Sequence, residues 1–210
     1  MNLDLDLVQA HLEPFGATVD RAKCDKINRY IELLTIWNRK MSLTTVTDVI
    51  QILRFHLGES IFAVQLCDFS RGRLADVGSG AGFPGLALKL WCPALEIFLL
   101  EPNLKKSAFL AEVVRELDLS SVEIISKPFL KSSIPSGSLQ FITSRALAQT
   151  TQLLTWSAQA LAPGGSLILW VSSQSASQIE QKAPFRWEIS RPIPGTRSRS
   201  ILVGHRFAQH

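Results

Sequence analysis

The sequence is poor in cysteine, with only Cys24, Cys67 and Cys92 among its 210 residues. They are far apart and form no Cys-x-x-Cys pair or Cys/His cluster, so we expect neither a disulfide framework nor a bound metal. No apolar run reaches the roughly 18 residues of a membrane-spanning helix, and the acidic first residues lack the pattern of a signal peptide. We therefore expect a cytoplasmic protein with no membrane contact.

Net charge is also small, at +4 from 22 Lys and Arg residues against 18 Asp and Glu residues. Its distribution is uneven, because residues 1–70 carry −2, residues 71–180 carry +1 and residues 181–210 carry +5. A total of +4 does not by itself indicate a nucleic-acid partner, so the position of the basic residues matters more than their number. Hydrophobic residues make up 46% of the chain, which is enough for one globular unit with a sizeable core.

The hydrophobic periodicity changes near residue 70. Before this point, apolar residues recur at helical spacing in two stripes. The first stripe contains Ile27, Tyr30, Ile31, Leu34 and Trp37, and the second contains Val49, Ile50, Leu53, Leu57 and Ile61. We therefore predict a helical N-terminal portion at residues 1–70.

After residue 70, short apolar runs alternate with helical segments. Strands are predicted at 74–77, 95–100, 122–125, 139–143, 166–171, 186–189 and 200–203, and helices at 83–91, 103–117 and 147–161. Pro163-Gly164-Gly165 is expected to form the turn into the fifth strand. The alternation is typical of an α/β fold with a mostly parallel sheet and helices on both faces. We predict that this domain, at 71–210, packs with the helical portion as one compact unit.

A glycine-rich loop, Gly78-Ser79-Gly80-Ala81-Gly82, follows the first predicted strand. Such a loop between a strand and a helix lets the backbone approach a ligand closely. A dinucleotide-binding loop needs its third glycine at position 83, where this chain has Phe83. The spacing resembles instead the first motif of class I S-adenosylmethionine-dependent methyltransferases, which implies S-adenosylmethionine as the cofactor. Glu101, at the end of the second predicted strand, is suited to accept hydrogen bonds from ribose hydroxyls.

Further segments occur in the order that is found in the RsmG (GidB) family. They are Trp37-Asn38-Arg39-Lys40, Ser42-Leu43-Thr44, His56 followed by Glu59-Ser60, Asp76 to Gly85, Glu101 to Leu110, and Ser144-Arg145-Ala146. The sequence is similar to this family over about residues 1–172. The resemblance implies a class I, Rossmann-like methyltransferase that methylates N7 of a guanine in the 530 loop of 16S ribosomal RNA. The implied partner is 16S rRNA or the 30S subunit.

The resemblance also implies which residues contact the cofactor. They are Gly78, Gly80, Phe83, Glu101, Pro128, Phe129 and Arg145. The chain departs from the family at several positions. Ser42 stands where the family usually has Asn, Glu59 stands where it has Asp, and Gly58 replaces a larger residue. After the fifth predicted strand, Ser172-Ser173 stands where the family commonly has a Lys-Gly pair.

Methylation of guanine N7 requires no general base, because this atom already carries an exposed lone pair. The sequence accordingly lacks an Asn-Pro-Pro-Tyr motif and a Pro-Cys nucleophile, and we interpret Cys92, which precedes Pro93, as a packing residue. Two residues are catalytic candidates. Arg145 is predicted at the ligand-binding edge of the sheet, where it suits a cofactor carboxylate, an RNA phosphate, a guanine edge or a structural ion pair. His56 lies on the apolar face of its helix, where a hydrogen-bonded packing role is the alternative.

Four basic residues are the candidate RNA contacts. Lys105 and Lys106 lie in the first turn of a helix that Asn103 is predicted to cap, where cations oppose the helix dipole and an RNA phosphate would offset this cost. Arg197 and Arg199 alternate with serines, so that in a strand both would point to one side. The same end of the chain holds Lys182, Arg186, Arg191 and Arg206, interleaved with Phe185 and Trp187. A solvated surface is the alternative interpretation of these residues.

Three other functions compete with this hypothesis. A non-catalytic ribosome-binding protein with the same fold would tolerate the missing lysine after the fifth strand. A methyltransferase could also act on a different RNA or on a small molecule, and for a small molecule the N-terminal helices would form a lid over the substrate. An NAD-dependent oxidoreductase is disfavoured by Phe83 in the glycine loop. In the preferred hypothesis, we expect the protein to act as a monomer.

Overall fold

The computed structural model describes residues 3–145, 149–180, 184–188 and 190–207, and its centre is an eight-stranded sheet. The strands are β1 (Gly72–Val77), β2 (Leu95–Leu100), β3 (Val122–Ile125), β4 (Leu139–Arg145), β5 (Leu161–Ser172), β6 (Phe185–Trp187), β7 (Arg191–Pro192) and β8 (Arg199–Arg206). The strand order is β3-β2-β1-β4-β5-β8-β6, and β7 also pairs with β8. Strands β1 to β5 are parallel, whereas β8 is antiparallel to β5, β6 and β7.

Eight α-helical segments surround the sheet in the described part of the chain. They are α1 (Leu5–Leu12), α2 (Arg21–Asn38), α3 (Val49–Gln51), α4 (Glu59–Ile61), α5 (Gly85–Trp91), α6 (Leu104–Glu116), α7 (Thr150–Ala160) and α8 (Ser173–Ile179). Polar residues begin several of them, because their side chains accept hydrogen bonds from otherwise unpaired first-turn N–H groups. Asp20 caps α2, Asp48 caps α3, and Asn103 caps α6 as predicted.

The predicted α/β architecture is confirmed, with corrections at the C-terminal end. The prediction of a turn at Pro163-Gly164-Gly165 is wrong, because β5 already begins at Leu161 and includes these residues. The register shifts there from Leu139 opposite Leu161 to Phe141 opposite Ser166. Helix α8 and strand β7 were not predicted, since seven and two residues carry little periodic signal. Ala146 of the predicted motif and Ile189 of the sixth predicted strand lie outside the described residues.

Alternate residues of the strands pack on opposite faces of the sheet, so that each face has its own hydrophobic cluster. Leu74 and Ile97 belong to the cluster on one face, and Ala75 and Phe98 belong to the cluster on the other. The first cluster also contains buried residues of the N-terminal helices, such as Ile27. The second contains residues of α7 and α8. The N-terminal helices therefore share a core with the sheet.

A π-helical segment, Ile52–Gly58, connects α3 to α4. Helical spacing alone does not predict it, and its wider turn changes which of the following side chains point inward. Two polar residues directly after it, Glu59 and Ser60, are buried. A Cβ on Gly58 would collide with the Phe15 ring, which explains why a larger residue is absent here.

Candidate functional site

The glycine loop lies between β1 and α5, at the carboxyl edge of the parallel strands. Gly78, Gly80 and Gly82 have φ angles of 76°, 56° and 89°, which side chains with a Cβ rarely adopt. A Cβ on Gly82 would also collide with the Tyr30 hydroxyl. The loop conformation therefore requires the glycines that the sequence places there.

Asp76 lies near the end of β1, and its side chain helps to fix the position of the glycine loop. Its fully buried carboxylate accepts hydrogen bonds from the Thr143 hydroxyl at 2.8 Å and from the Gly85 N–H at 3.1 Å. Burial raises the pKa of Asp76 to about 6, although these hydrogen bonds favour the charged form. The residue thus connects β1, β4 and the start of α5.

Glu101 connects the glycine loop to the start of α6. Its Oε2 accepts the Gly80 N–H at 2.9 Å, and its Oε1 accepts the Asn103 N–H at 2.9 Å. A carboxylate has about four acceptor positions, so two remain for ribose hydroxyls. The side chain therefore fits the predicted contact with a nucleoside while it also holds the loop.

Phe83 lies between two aromatic rings, and each face of its own ring is covered. Tyr30 stacks on it with centroids 5.1 Å apart, and His56 stacks on it at 4.9 Å. Each such contact contributes about 0.5–1.5 kcal/mol beyond simple burial. The Tyr30 hydroxyl also donates to the Ala81 carbonyl at 2.6 Å. Sequence reasoning placed Tyr30 in a core stripe and missed its contact with the loop.

His56 Nε2 lies 2.8 Å from Thr44 Oγ1, while its ring packs on Phe83. Burial and the charge of Arg145 lower the pKa of His56 to about 4, so the imidazole is neutral at pH 7. The packing role that was the alternative for this residue therefore has direct geometric support.

A cavity of about 180 Å³ opens above the glycine loop, and we call it the glycine-loop cavity. Its lining residues are Leu43, Thr44, His56, Gly78, Ser79, Gly80, Ala81, Phe83 and Arg145. The structure thus brings together four of the predicted cofactor contacts, Gly78, Gly80, Phe83 and Arg145, and both catalytic candidates, since Arg145 belongs to both groups. These residues come from the N-terminal helical portion, the loop and the end of β4.

A second cavity of about 460 Å³ lies beside the ends of β4 and β5, and we call it the β4–β5 cavity. Such a volume is typical of a small-molecule or base-sized site. Its walls include the apolar side chains of Leu153, Leu169, Trp170, Ile179 and Ile193. Its charged lining residues are Glu59, Arg145 and Arg199.

Arg145 lines both cavities. Its Nη2 donates a hydrogen bond of 2.9 Å to Glu59 Oε2, so the ion pair that the sequence left open does form. Its Nη1 is buried and has no hydrogen-bond partner among the described residues. Burial lowers the pKa of Arg145, and the Glu59 charge opposes this shift. The guanidinium is therefore held by Glu59 through Nη2, while Nη1 is enclosed without a hydrogen-bond partner among the described residues.

Glu59 is the functional residue that sequence reasoning missed, since it was noticed only as a departure from the family. It is 1% exposed and binds Arg145 and Arg199 with its two oxygens. A carboxylate three residues after His56 was the available signal. Its partners could not be found by spacing, because they lie 86 and 140 positions away.

Pro128 and Phe129 follow β3 at the same edge of the sheet. The Phe129 ring is buried and packs edge-on against Trp156, with centroids 5.5 Å apart. The Pro128 carbonyl accepts the Lys131 N–H at 2.8 Å, within a short 3-10 turn. The Phe129 ring therefore contributes to the core, and a cofactor contact at this pair stays a prediction.

The candidate RNA contacts occupy different environments. Lys105 is exposed in the first turn of α6, and Lys106 beside it is half-buried. The expectation that Arg197 and Arg199 lie in one strand is wrong, because β8 begins at Arg199. Arg197 is exposed before the strand, whereas Arg199 Nη2 lies 2.8 Å from Glu59 Oε1 and its guanidinium lies over the Phe55 ring.

The other basic residues near the C-terminus that the structure describes lie on three different strands. Arg186 and Arg191 are exposed on β6 and β7, Arg206 donates to the Leu161 carbonyl, and Lys182 lies outside the described residues. Arg199 lies directly opposite Ser172 in the β5–β8 ladder. A cation is thus present at this end of β5, although the lysine of the family is missing.

Two further findings concern residues 3–145, 149–180, 184–188 and 190–207. None of the helices there is long and apolar enough to cross a membrane. The His, Cys, Asp and Glu side chains there form no group of three or more that could hold a metal ion.

Solved structures with a similar fold are methyltransferases. A SAM-dependent methyltransferase from Aquifex aeolicus superposes with a TM-score of 0.62 at 16% identity, over 74% of this chain and 92% of that one. The precorrin-6y C5,15-methyltransferase from Geobacter metallireducens superposes with a TM-score of 0.56 at 14% identity, over 79% and 92%. At these identities the likeness concerns the fold, which is the class I, Rossmann-like methyltransferase fold.

Sequence comparison gives a closer relationship. The ribosomal RNA small subunit methyltransferase G of Halorhodospira halophila is 33% identical over 207 residues, which is 97% of both chains. The protein of the same name from Cupriavidus necator is 34% identical over an alignment of 214 positions, which covers 93% of this chain and 91% of the relative. The family model GidB, described as rRNA small subunit methyltransferase G, matches residues 23–191. The match extends over most of the chain, and the glycine loop, His56 and Arg145 line one cavity in the structure. This chain therefore belongs to the rRNA small subunit methyltransferase G family.

Proposed function

We propose that this protein transfers a methyl group from S-adenosylmethionine to N7 of a guanine in the 530 loop of 16S rRNA. The observation that carries the proposal is that two cavities share Arg145. Methyl transfer requires a cofactor site and an acceptor site that meet at one point. The glycine-loop cavity and the β4–β5 cavity have this relation.

The glycine-loop cavity is the cofactor side of the proposed site. Backbone groups at Gly78 and Gly80 would lie against the methionine part, and the free acceptor positions of Glu101 would bind the ribose hydroxyls. Pro128 and Phe129 would border the adenine. When bound, S-adenosylmethionine supplies an electrophilic methyl group on its sulfonium.

The protein needs no general base in this reaction, because guanine N7 attacks with a lone pair that is already free. His56 is neutral at pH 7, with its Nε2 engaged by Thr44, and it shapes the cavity by packing on Phe83. Cys92 is partly buried, and burial raises the pKa of its thiol to about 11, which fits a packing residue. The residues act by aligning the two reactants and by excluding water.

The rRNA would reach the site over exposed cations. Lys105, Lys106 and Arg197 are the candidates for phosphate contacts, whereas Arg199 faces the β4–β5 cavity and would act there. We include in this proposal a monomer that works in the cytoplasm, where the rRNA is made. Light scattering of the purified protein tests the oligomeric state.

The deciding experiment uses 30S subunits from cells that lack this modification. After incubation with the protein and S-adenosylmethionine, mass mapping of 16S rRNA is expected to show one added methyl on a 530-loop guanine. A methyl group at another nucleotide would contradict the proposed acceptor. Binding of cofactor and 30S subunits without transfer would identify a non-catalytic ribosome-binding protein instead.

A further inference from the structure

Glu59 is at the centre of the charged wall of the β4–β5 cavity. Its side chain is 1% exposed, with Oε2 2.9 Å from Arg145 Nη2 and Oε1 2.8 Å from Arg199 Nη2. Its backbone carbonyl accepts the indole N–H of Trp170 at 2.7 Å. Strands β4, β5 and β8 thus each contribute one side chain that is bound to this single residue.

A buried carboxylate is costly unless opposite charges compensate for its lost hydration. Burial raises the pKa of Glu59, and the charges of Arg145 and Arg199 act against this shift. Two arginines around one carboxylate leave this part of the cavity with an excess positive charge. The cluster therefore suits an acceptor that presents an oxygen or another electron-rich edge.

The geometry of Arg145 narrows the choice of acceptor atom. Its Nη2 is bound to Glu59, while its buried Nη1 has no partner among the described residues. Buried donors in native proteins are nearly always paired, so an unpaired guanidinium nitrogen beside two cavities points to a hydrogen-bond partner that arrives with a ligand. A rigid guanidinium can serve Glu59 and a ligand at the same time, which the single nitrogen of a lysine cannot do in the same geometry.

Guanine offers two acceptors on its major-groove edge, O6 and N7. A donor on N7 would occupy the lone pair that must attack the methyl group, so the useful contact is to O6 alone. A guanidinium that is fixed by an ion pair with Glu59 meets this requirement. A guanidinium that was free to turn would tend to bind both atoms and block the reaction.

We propose that Glu59 is a positioning residue that holds Arg145 and Arg199 so that a guanidinium N–H in the cavity wall donates to O6 of the acceptor guanine and leaves N7 free. This inference rests on the proposed function, and it adds how the acceptor base is recognised. Glu59 itself does not touch the base.

The test compares Glu59→Gln, which keeps the size but removes the charge, with Glu59→Asp, which keeps the charge. The matched control is Glu116→Gln, because Glu116 also binds two arginines, Arg29 and Arg115, but lies on α6 away from both cavities. We expect kcat/KM to fall at least about 100-fold in Glu59→Gln, with cofactor affinity within about threefold of wild type. Glu59→Asp is expected to recover at least tenfold over Glu59→Gln, and Glu116→Gln to match wild type.

A second readout separates recognition from folding. In 16S rRNA that carries 2-aminopurine at the acceptor position, N7 remains but O6 is absent. The wild-type protein is expected to prefer guanine over 2-aminopurine at least about 50-fold, and Glu59→Gln is expected to lose this preference. If Glu59→Gln does not fold, Arg145→Lys serves in its place, and it is expected to lose the same preference for guanine over 2-aminopurine.

The inference is overturned if wild type accepts both bases equally, or if the folded variants keep the wild-type preference. A wild-type protein that methylates no guanine in 16S rRNA would contradict the proposed function itself. The two failures are therefore distinguishable in one set of assays.

Discussion

The glycine-loop half of the site is held by hydrogen bonds to two acidic residues, whereas the acceptor half is held by ion pairs between distant segments. In the first half, Asp76 and Glu101 bind backbone N–H groups of the loop and of its flanking helices. In the second, Glu59 joins Arg145 and Arg199 across long sequence separations. The first half is thus fixed by hydrogen bonds to the backbone, as a preformed cofactor site would require, and the second depends on one buried carboxylate.

Because of this difference, substitutions in the two halves are expected to affect different properties of the protein. A change in the glycine-loop half removes acceptors for backbone groups, so cofactor affinity and stability should change together. A change in the acceptor half should affect catalysis while cofactor binding and the fold remain. Four predictions test this contrast, starting with the largest expected effect.

Replacing Arg145 with alanine is expected to reduce methylation at least about 100-fold, because a preorganised donor at the reaction centre is lost. The chain should still fold, since Arg199 continues to compensate Glu59. Methyl transfer to 30S subunits and circular dichroism measure the two effects. Wild-type activity in this variant would remove Arg145 from the site.

Replacing Asp76 with asparagine is expected to lower cofactor affinity about tenfold or more. The amide cannot accept from both the Thr143 hydroxyl and the Gly85 N–H in the present geometry, and a bond to a charged group contributes about 1.5–3 kcal/mol. Calorimetric titration with S-adenosylmethionine and urea unfolding should both show a loss. If the variant lost activity but kept its affinity for S-adenosylmethionine and its stability to urea, the expected difference between the two halves would be wrong.

The pH dependence of stability is expected to reveal opposite contributions from His56 and Asp76. The pKa of His56 is lowered from 6.5 to about 4 on folding, so its contribution is present above pH 6.5 and is lost as the pH falls through 4. The pKa of Asp76 is raised from 3.8 to about 6, so its contribution is present below pH 3.8 and is lost as the pH rises through 6. Between pH 4 and 6 the two largely cancel.

Urea unfolding of His56→Phe and Asp76→Asn at pH 4.5, 5.5 and 6.5 measures these contributions separately. Relative to wild type, His56→Phe should become less stable as the pH rises, and Asp76→Asn should become more stable. Each difference should change by about 2 kcal/mol over the interval, since one pKa unit corresponds to about 1.4 kcal/mol. If the free energy of unfolding changed with pH in the same way for wild type and both variants, the pKa shifts assigned to His56 and Asp76 would be wrong.

The smallest effect is expected for Arg197→Ala, which removes an exposed cation outside both cavities. Binding to 16S rRNA should weaken several-fold, and the slope of log K against log salt should decrease by about one. The exposed Arg21 on α2 provides a matched control, because its replacement with alanine should change neither quantity. An unchanged salt slope would exclude Arg197 from the RNA contact.

Local sequence patterns predicted much of the fold, because neighbouring residues are enough to specify most of its strands, helices and turns. The cores of β1 to β5, the glycine loop and the Asn103 cap were predictable from apolar runs, φ-permissive glycines and capping chemistry. The π-helical segment and the early start of β5 were not. Packing against the rest of the molecule decides such irregularities, and it overrides helical periodicity and the turn tendency of Pro163-Gly164-Gly165.

The candidate site divides in the same way. Gly78, Gly80 and Glu101 belong to contiguous motifs, so the sequence could place them together. Sequence spacing carried no information about the contact of Phe83 with both Tyr30 and His56, or about the three-residue cluster at Glu59. Arg199 was assigned to an RNA-facing strand surface, because nothing local indicated a buried carboxylate partner.

By itself, the sequence determined the order of the strands β1 to β5 and the main helices between them, the glycine loop and the resemblance to an RNA methyltransferase family. These features depend on neighbouring residues, and the chemistry of each segment is sufficient to specify them. Only the tertiary structure decided that Arg145 lines two cavities and that Glu59 pairs with both Arg145 and Arg199. The reason is physical, since a buried charge takes its partners from whichever strands the fold brings within about 3 Å, whatever their distance along the chain.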